Sequence, residues 1–329
     1  MPKHLSETPE CPLKHFDVAD LAWAAGFFDG EGTTIARNDS LRPGYRQLQV
    51  SVPQSGHTGV PVVLTRFQAA VLGLGGIEPP NAEDTYMWRA SMFEEAQAVI
   101  ALLWRHFGPV KREQAASALR AVREQYESGR VEPRRSRRPS MIHAVHDVPA
   151  KTYAAEELEH AWAAGFLDAE GWFGLARAHS RKRLVPWYRI RVSASQHGAE
   201  GIPAAVLIRL QRAFDGLGRI ERHGEPDDFK WLAEGRANVE RVLLLASPWL
   251  GIVKLEQARK ALAAYDAQPR SRGDKTICIR GHPYDVLKIR DGRIRRRCNR
   301  CARITARGLR AAAGIKPRQF KNVERRYTS

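Results

Sequence analysis

The sequence predicts an α+β protein made of two tandem α-β-β-α-β-β-α units with antiparallel sheets, followed by a small, strongly basic module. Two observations predict the tandem architecture. One is an internal repeat: LAWAAGFFDGEG at 21–32 returns as HAWAAGFLDAEG at 160–171. Further landmarks follow in the same order, QVSVPQ ending at Gln54 with RVSASQ ending at Gln196, LGLGGIE with DGLGRIE, Trp88 with Trp231, and VKREQA with VKLEQA. The offset drifts only from 139 to 143 residues, as loop-length changes between equivalent elements would produce, so the duplicated block spans about 110 residues. The other is a change of hydrophobic period within each copy, from helical to alternating.

Each copy opens with a helix, DVADLAWAAGFF or EELEHAWAAGFL, which has acidic residues in its first turn and Gly32 or Gly171 as its stop. After TTIAR or WFGLA comes an alternating strand. Leu48, Val50 and Val52 fall on one face and Gln47, Gln49 and Ser51 on the other; in the second copy Ile190, Val192 and Ala194 oppose Arg189, Arg191 and Ser193. The pattern is that of an antiparallel pair with one polar, open face. An amphipathic helix follows (VVLTRFQAAVLGL, AAVLIRLQRAFDGL), then a strand pair around the tryptophan, then a helix (FEEAQAVIALLWRHF, ANVERVLLLASPWL). The boundaries read as an N-terminal extension at 1–15, repeat 1 at 16–125, a linker at 126–152 containing EPRRSRRPS, repeat 2 at 153–268, and the module at 269–329.

Charge separates the module from the body. Residues 270–329 hold 19 Lys+Arg against 4 Asp+Glu, most of the chain's net +17, while the remainder is nearly neutral. Such asymmetry is expected of a nucleic-acid binder. No run of about eighteen apolar residues occurs and the N-terminus lacks a signal-peptide core, so a cytoplasmic protein with no membrane partner is expected. Three of the four cysteines cluster as Cys278-x3-His282-x15-Cys298-x2-Cys301, a closed set of three thiolates and one imidazole that suits structural Zn²⁺; Cys11 is left as a lone thiol. Asp291-Gly292 reads as a hairpin turn, with Arg293, Arg295, Arg296 and Arg297 placed to grip phosphates.

The duplicated A-A-G-F-F/L-D-G/A-E-G, each copy opening an α-β-β-α-β-β-α unit, resembles the signature of the single-chain LAGLIDADG homing endonucleases over residues 16 to 268. The tail more distantly resembles small zinc-binding units appended to mobile-element nucleases. The family resemblance implies two signature helices packed side by side about a pseudo-two-fold axis, a monomer, and cleavage of a long double-stranded DNA site. Ala22, Gly26 and Asp29, and likewise Ala161, Gly165 and Asp168, recur on one helix face and would form the interface; Trp23, Phe27, Trp162 and Phe166 face each half's own core.

Pairing the helices gathers Glu31 and Glu170 at two negative dipole ends, where mutual repulsion calls for a divalent cation, Mg²⁺ or Mn²⁺. By resemblance Glu31 and Glu170 are the metal-binding catalytic residues, with the carbonyls of Gly30 and Ala169 as further ligands. Gln54 and Gln196 correspond to the position that organises water, and Lys111 and Lys254 to the basic residue that stabilises phosphate charge. Arg46, Gln47, Gln49, Ser51, Arg189, Arg191 and Ser193 are the candidate DNA-reading residues on the sheets, with Arg181, Lys182 and Arg183 as backbone contacts. Pro53 ahead of Gln54, where repeat 2 has Ser195, is expected to make the half-sites unequal. The halves differ in most outward side chains, which implies an asymmetric target. The rival reading is a non-cleaving protein on the same fold, an intron RNA splicing maturase or a DNA-binding regulator.

Overall fold

The computed structural model describes residues 17–39, 44–128, 151–178, 187–268, 277–278, 280–290 and 293–312. Asp17 starts the first helix, its carboxylate accepting the Ala19 N–H at 2.8 Å, and Gly32 ends it by donating its N–H to Phe28 O at 2.8 Å. From there repeat 1 runs α1 (Val18–Glu31), β1 (Thr33–Asn38), β2 (Arg46–Ser55), α2 (Val62–Ala70), β3 (Gly76–Glu78), β4 (Thr85–Ala90), α3 (Phe93–Leu103) and α4 (Pro109–Glu127). Repeat 2 gives α5 (Ala155–Glu170), β5 (Gly171–Ala178), β6 (Trp187–His197), α6 (Ala205–Ala213), β7 (Arg219–Arg222), β8 (Asp228–Glu234), α7 (Arg236–Ala246) and α8 (Ile252–Asp266). The α+β class and the α-β-β-α-β-β-α order hold in both copies. To each the structure adds a further long helix, α4 or α8, carrying the VKREQA or VKLEQA segment.

The two four-stranded sheets have equivalent orders, β1-β2-β4-β3 and β5-β6-β8-β7. Their inner faces meet the helices through the apolar positions of the central strands, where Leu48, Val50, Val52, Ile190, Val192 and Ala194 are all buried. Aromatic rings fill much of the space between helix and sheet. In repeat 1 Phe67 lies edge-on to Trp88 at 4.8 Å, and Phe28 packs on Phe107 at 5.2 Å; in repeat 2 Phe214 stacks on Trp231 at 5.5 Å. Both tryptophans satisfy their indole N–H inside the core, Trp88 on Leu74 O at 3.2 Å and Trp231 on Leu217 O at 3.0 Å.

The centre of the body is the α1–α5 pair. A Cβ built on Gly26 would lie 1.8 Å from Trp162 O, and one on Gly165 would lie 1.8 Å from Trp23 O. Only glycine lets each backbone sit against the other at these two crossings. Ala22 and Ala161, fully buried, continue the small-residue seam.

By contacts the chain divides into two units, Met1–Leu175 with Ile190–Ala263, and Ala176–Arg189 with Ala264–Ser329. The smaller contains the antiparallel pair β9 (Val286–Arg290) and β10 (Arg293–Arg297), with Arg290 opposite Arg293, and then α9 (Asn299–Ala312). The proposed turn residues Asp291 and Gly292, the loop residues Arg181, Lys182 and Arg183, Cys11 and most of the linker lie outside the described residues. Among the described residues no helix is long and apolar enough to cross a membrane.

Candidate active site and metal centre

Glu31 and Glu170 are the last residues of α1 and α5, so the close crossing of the two helices brings both carboxylates to one end of the pair. A Cβ on Gly30 would lie 2.6 Å from the Ala169 Cβ and 3.7 Å from Glu170 Oε1. Each glutamate has a matching donor: Gln54 Nε2 reaches Glu31 Oε1 at 3.2 Å, and Gln196 Nε2 reaches Glu170 Oε1 at 2.9 Å. Burial pushes the Glu170 carboxyl up to about 7, with the Glu31 charge beside it adding to the shift. Glu31 is raised as well, by burial against the pull of Gln54 and the two nearby lysines.

Those lysines come from the additional helices. Lys111 Nζ donates to Gly32 O at 2.6 Å and Lys254 Nζ donates to Gly171 O, so both ammonium groups cap the signature helices rather than pairing directly with the carboxylates. Burial lowers both lysine pKa values, against the stabilising charge of the neighbouring carboxylates. Pro53 does not prevent the contact made by Gln54. It lies beyond the last β1–β2 pair, Thr33 with Ser51, so its missing N–H takes nothing from that ladder.

Asp29 and Asp168 are engaged by backbone and indole donors. Asp29 accepts the Gly108 N–H at 3.0 and 2.7 Å and the Trp162 Nε1–H at 2.8 Å; Asp168 accepts the Gly251 N–H at 3.0 and 2.8 Å and the Trp23 Nε1–H at 2.8 Å. Packing of the tryptophans wholly within their own halves is therefore corrected. Trp23 stacks on Phe27 and Trp162 on Phe166, but each indole edge crosses to the opposite repeat, because a buried indole N–H needs an acceptor and the aspartate provides one.

No protein-family model and no curated protein matches the sequence. Solved structures do. The I-LtrWI LAGLIDADG homing endonuclease bound to target DNA aligns at TM-score 0.57 and 13% identity, over 76% of this chain and 91% of that one. The LAGLIDADG meganuclease I-AabMI bound to uncleaved DNA aligns at TM-score 0.56 and 18% identity, over 75% of this chain and 90% of that one. I-CpaMI, another LAGLIDADG meganuclease bound to uncleaved DNA, gives 0.55 and 13%, over 77% and 92%. The fold is the LAGLIDADG fold.

On the outer faces of the LAGLIDADG sheets the candidate readers divide. Arg46 and Arg189 are exposed, and Arg191 is half-buried with its guanidinium 5.3 Å from the Trp172 ring centroid. Gln47 Nε2 is engaged by Ser91 O at 2.7 Å. Gln49, Ser51 and Ser193 are buried, which corrects the expectation of an open polar face along the whole strand. The register places Gln49 beside Ile35 of β1 and Ser51 beside Arg89 of β4, so a side chain of a flanking strand stands against each.

In the smaller unit, ligand atoms of Cys278, His282, Cys298 and Cys301 all lie within 4.8 Å of one another. The chain turns tightly around them, Cys278 N–H donating to His282 O at 2.6 Å and Gly281 N–H to Cys278 O at 2.9 Å. Backbone N–H groups of Arg280 and Cys301 point at the sulfurs of Cys278 and Cys298, each at 3.4 Å. Arg297 is exposed; the side chains of Arg293, Arg295 and Arg296 lie outside the described set. Beside the cluster, Arg300, Arg303 and Arg307 of α9 line one cavity of about 710 Å³ with Asp285, whose carboxylate accepts the Asn299 N–H at 2.8 Å.

Sequence reasoning missed Arg66 and Arg209. Both are basic residues on amphipathic helices, at the same 143-residue offset as the lysines, and that recurrence was the available signal. It also missed Gly108 and Gly251 as donors to the aspartates.

Proposed function

We propose that this chain is a site-specific double-strand DNA endonuclease that hydrolyses phosphodiester bonds at Glu31 and Glu170, each serving one strand. The observation that carries the reading is the duplicated set of glutamate, glutamine and lysine at the end of one tightly crossed helix pair. Two hard carboxylates whose ionisation burial and mutual charge oppose are a donor set suited to Mg²⁺ or Mn²⁺, with the Gly30 and Ala169 carbonyls as further ligands. When bound, the cation supplies positive charge to the phosphate oxygens as negative charge builds on them. Gln54 and Gln196 hold their glutamates in place and orient water at the scissile phosphate. Lys111 and Lys254, fixed by the helix-terminal carbonyls, bring a second positive charge to the same phosphates. The LAGLIDADG neighbours solved on DNA support double-stranded DNA as the partner.

The sheet arginines Arg46, Arg189 and Arg191 read the major groove in this proposal, and the different outward residues of the halves favour an asymmetric site. Two repeats in one chain supply both half-sites, so the protein acts as a monomer. The Cys3His cluster holds structural Zn²⁺, and the α9 arginines add phosphate contacts that carry affinity rather than sequence.

Incubating the protein with Mg²⁺ and a randomised DNA library, then sequencing cut ends, tests the reading. Cleavage at one long asymmetric site, lost in Glu31→Gln with Glu170→Gln, is expected, and each single variant should nick one strand. Tight DNA or RNA binding without cuts in any divalent metal would replace it with the non-cleaving regulator or maturase.

A further inference from the structure

Arg66 and Arg209 stand outside the glutamate–glutamine–lysine sets, yet each leaves its own repeat. Arg66, on α2 of repeat 1, donates from Nη1 to Trp249 O at 2.6 Å, in the α7–α8 corner of repeat 2. The same nitrogen lies 3.8 Å from Asp168, Nη2 is 3.5 Å from Asp20, and the guanidinium sits 3.8 Å from the centroid of the Trp23 ring. Arg209, on α6 of repeat 2, repeats every part of this in reverse. Nη1 donates to His106 O at 2.6 Å in the α3–α4 corner of repeat 1 and lies 3.7 Å from Asp29; the guanidinium sits 4.0 Å from the Trp162 centroid and grips Glu159 at 2.9 and 2.7 Å.

Both corners lead straight to a lysine of the site. His106 is followed by Gly108, whose N–H is held by Asp29, and then by Lys111; Trp249 is followed by Gly251, held by Asp168, and then by Lys254. Four residues separate the arginine-bound carbonyl from the site lysine in each case, part of them the first turn of α4 or α8. A planar guanidinium can lie on an indole face while its edge donates to a carbonyl and faces a carboxylate, which a lysine ammonium cannot do at once.

We propose that Arg66 and Arg209 are crosswise positioning residues: Arg66 of repeat 1 sets the Gly251–Lys254 corner beside Glu170, and Arg209 of repeat 2 sets the Gly108–Lys111 corner beside Glu31. Neither half then acquires its lysine geometry alone, and each strand cut depends on an arginine of the other repeat. The catalytic clause rests on the nuclease reading; the positioning clause does not.

Hydrogen exchange of the full chain, resolved to Gly108 and Gly251, tests the positioning. Arg66→Met should speed exchange at Gly251 about tenfold while leaving Gly108 within about twofold, and Arg209→Met should do the reverse, since loosening is local where its cause is local. Equal acceleration at both glycines, the mark of plain destabilisation, or no change at either, overturns the proposal. Should a methionine variant fail to fold, Arg66→Lys and Arg209→Lys keep the charge, lose the fork, and are read by the same criterion. With a cleaved duplex in hand, strand-resolved nicking tests the catalytic clause: Arg66→Lys should slow the strand that Glu31→Gln still cuts more than the other. Equal slowing of both strands overturns that clause. A wild-type chain that cuts nothing removes the nuclease reading, while the exchange ratio still decides the positioning.

Discussion

Trp23 Nε1 donates to Asp168 Oδ2 at 2.8 Å across the α1–α5 pair, and Trp162 Nε1 answers with Asp29 Oδ2 at the same distance. The halves are thus joined by two buried, charge-assisted bonds as well as by backbone packing. Replacing Trp23 with Phe keeps most of the ring and deletes the donor, leaving Asp168 short of a partner where water does not reach. The expected loss is about 1–3 kcal/mol, measured by urea unfolding. In a double-mutant cycle, Trp23→Phe should couple to Asp168→Asn, and Trp23→Phe with Asp29→Asn should couple less; equal coupling in both pairs would show the bonds to be incidental.

The glycines at the crossing permit a sharper test. Gly26→Ala and Gly165→Ala each raise helix propensity, so on an isolated helix both would stabilise. Here the added methyl would meet a backbone carbonyl that no rotamer change can move, 1.8 Å away. Overpacking of this kind costs at least about 1–3 kcal/mol, and the required separation of the helices should also draw Glu31 from Glu170. Thermal unfolding should fall for both variants, whereas Gly44→Ala, in open space at a turn, should lose only the cost of its positive φ.

Much of the candidate site is legible in the sequence because the chain states it twice. Glu31, Gln54 and Lys111 are ordinary residues singly, and their recurrence as Glu170, Gln196 and Lys254 is what marks them. The features that stay hidden depend on how the two copies meet. Arg66 reads as a charge on an amphipathic helix, and nothing local announces a carbonyl 183 residues away. The burial of Gln49 and Ser51 follows from their neighbours on β1 and β4, which alternation along β2 cannot express. The indole edges of Trp23 and Trp162 are concealed likewise, since ring and N–H of one side chain serve different repeats.

The carboxylate pair gives stability a defined pH dependence. Glu170 is raised from 4.5 to about 7, so between those values the folded chain holds a proton the unfolded chain has released. That contribution is full below about pH 4.5 and is lost as pH rises through about 7. Asp29 and Asp168, each raised to about 6, give the same sign at lower pH, and His106, lowered by burial to about 4, gives the opposite sign below its usual 6.5, so the part of the window above about pH 6.5 reports the glutamate pair. Urea midpoints should fall from pH 6 to 8, Glu170→Gln should flatten that fall, and Mg²⁺ should restore stability at pH 8 more than at pH 6 by taking the place of the proton. An unchanged slope in Glu170→Gln would remove the pair as its source.

The Cys3His cluster predicts a metal-dependent smaller unit. Cys278 and Cys298 are buried, and among the described residues the segment around them forms only the β9–β10 pair and α9, which offer little apolar surface to hold it closed. With four ligand atoms within 4.8 Å, three of them sulfur, the reduced chain would press potential thiolates together unless a soft-tolerant cation shared their charge. The purified chain should therefore contain about one zinc, and Cys298→Ser should lose it. Hydrogen exchange should rise through β9, β10 and α9 in that variant while the α1–α5 pair keeps its protection. Because α9 begins directly after Cys298, the same change should free Arg300, Arg303 and Arg307 from their common cavity. DNA affinity at low salt should then weaken and the salt slope become shallower, by about one unit for each phosphate that is no longer neutralised. Zinc content equal to wild type in Cys298→Ser would take the metal out of this account, and an unchanged salt slope with zinc lost would take out the α9 arginines.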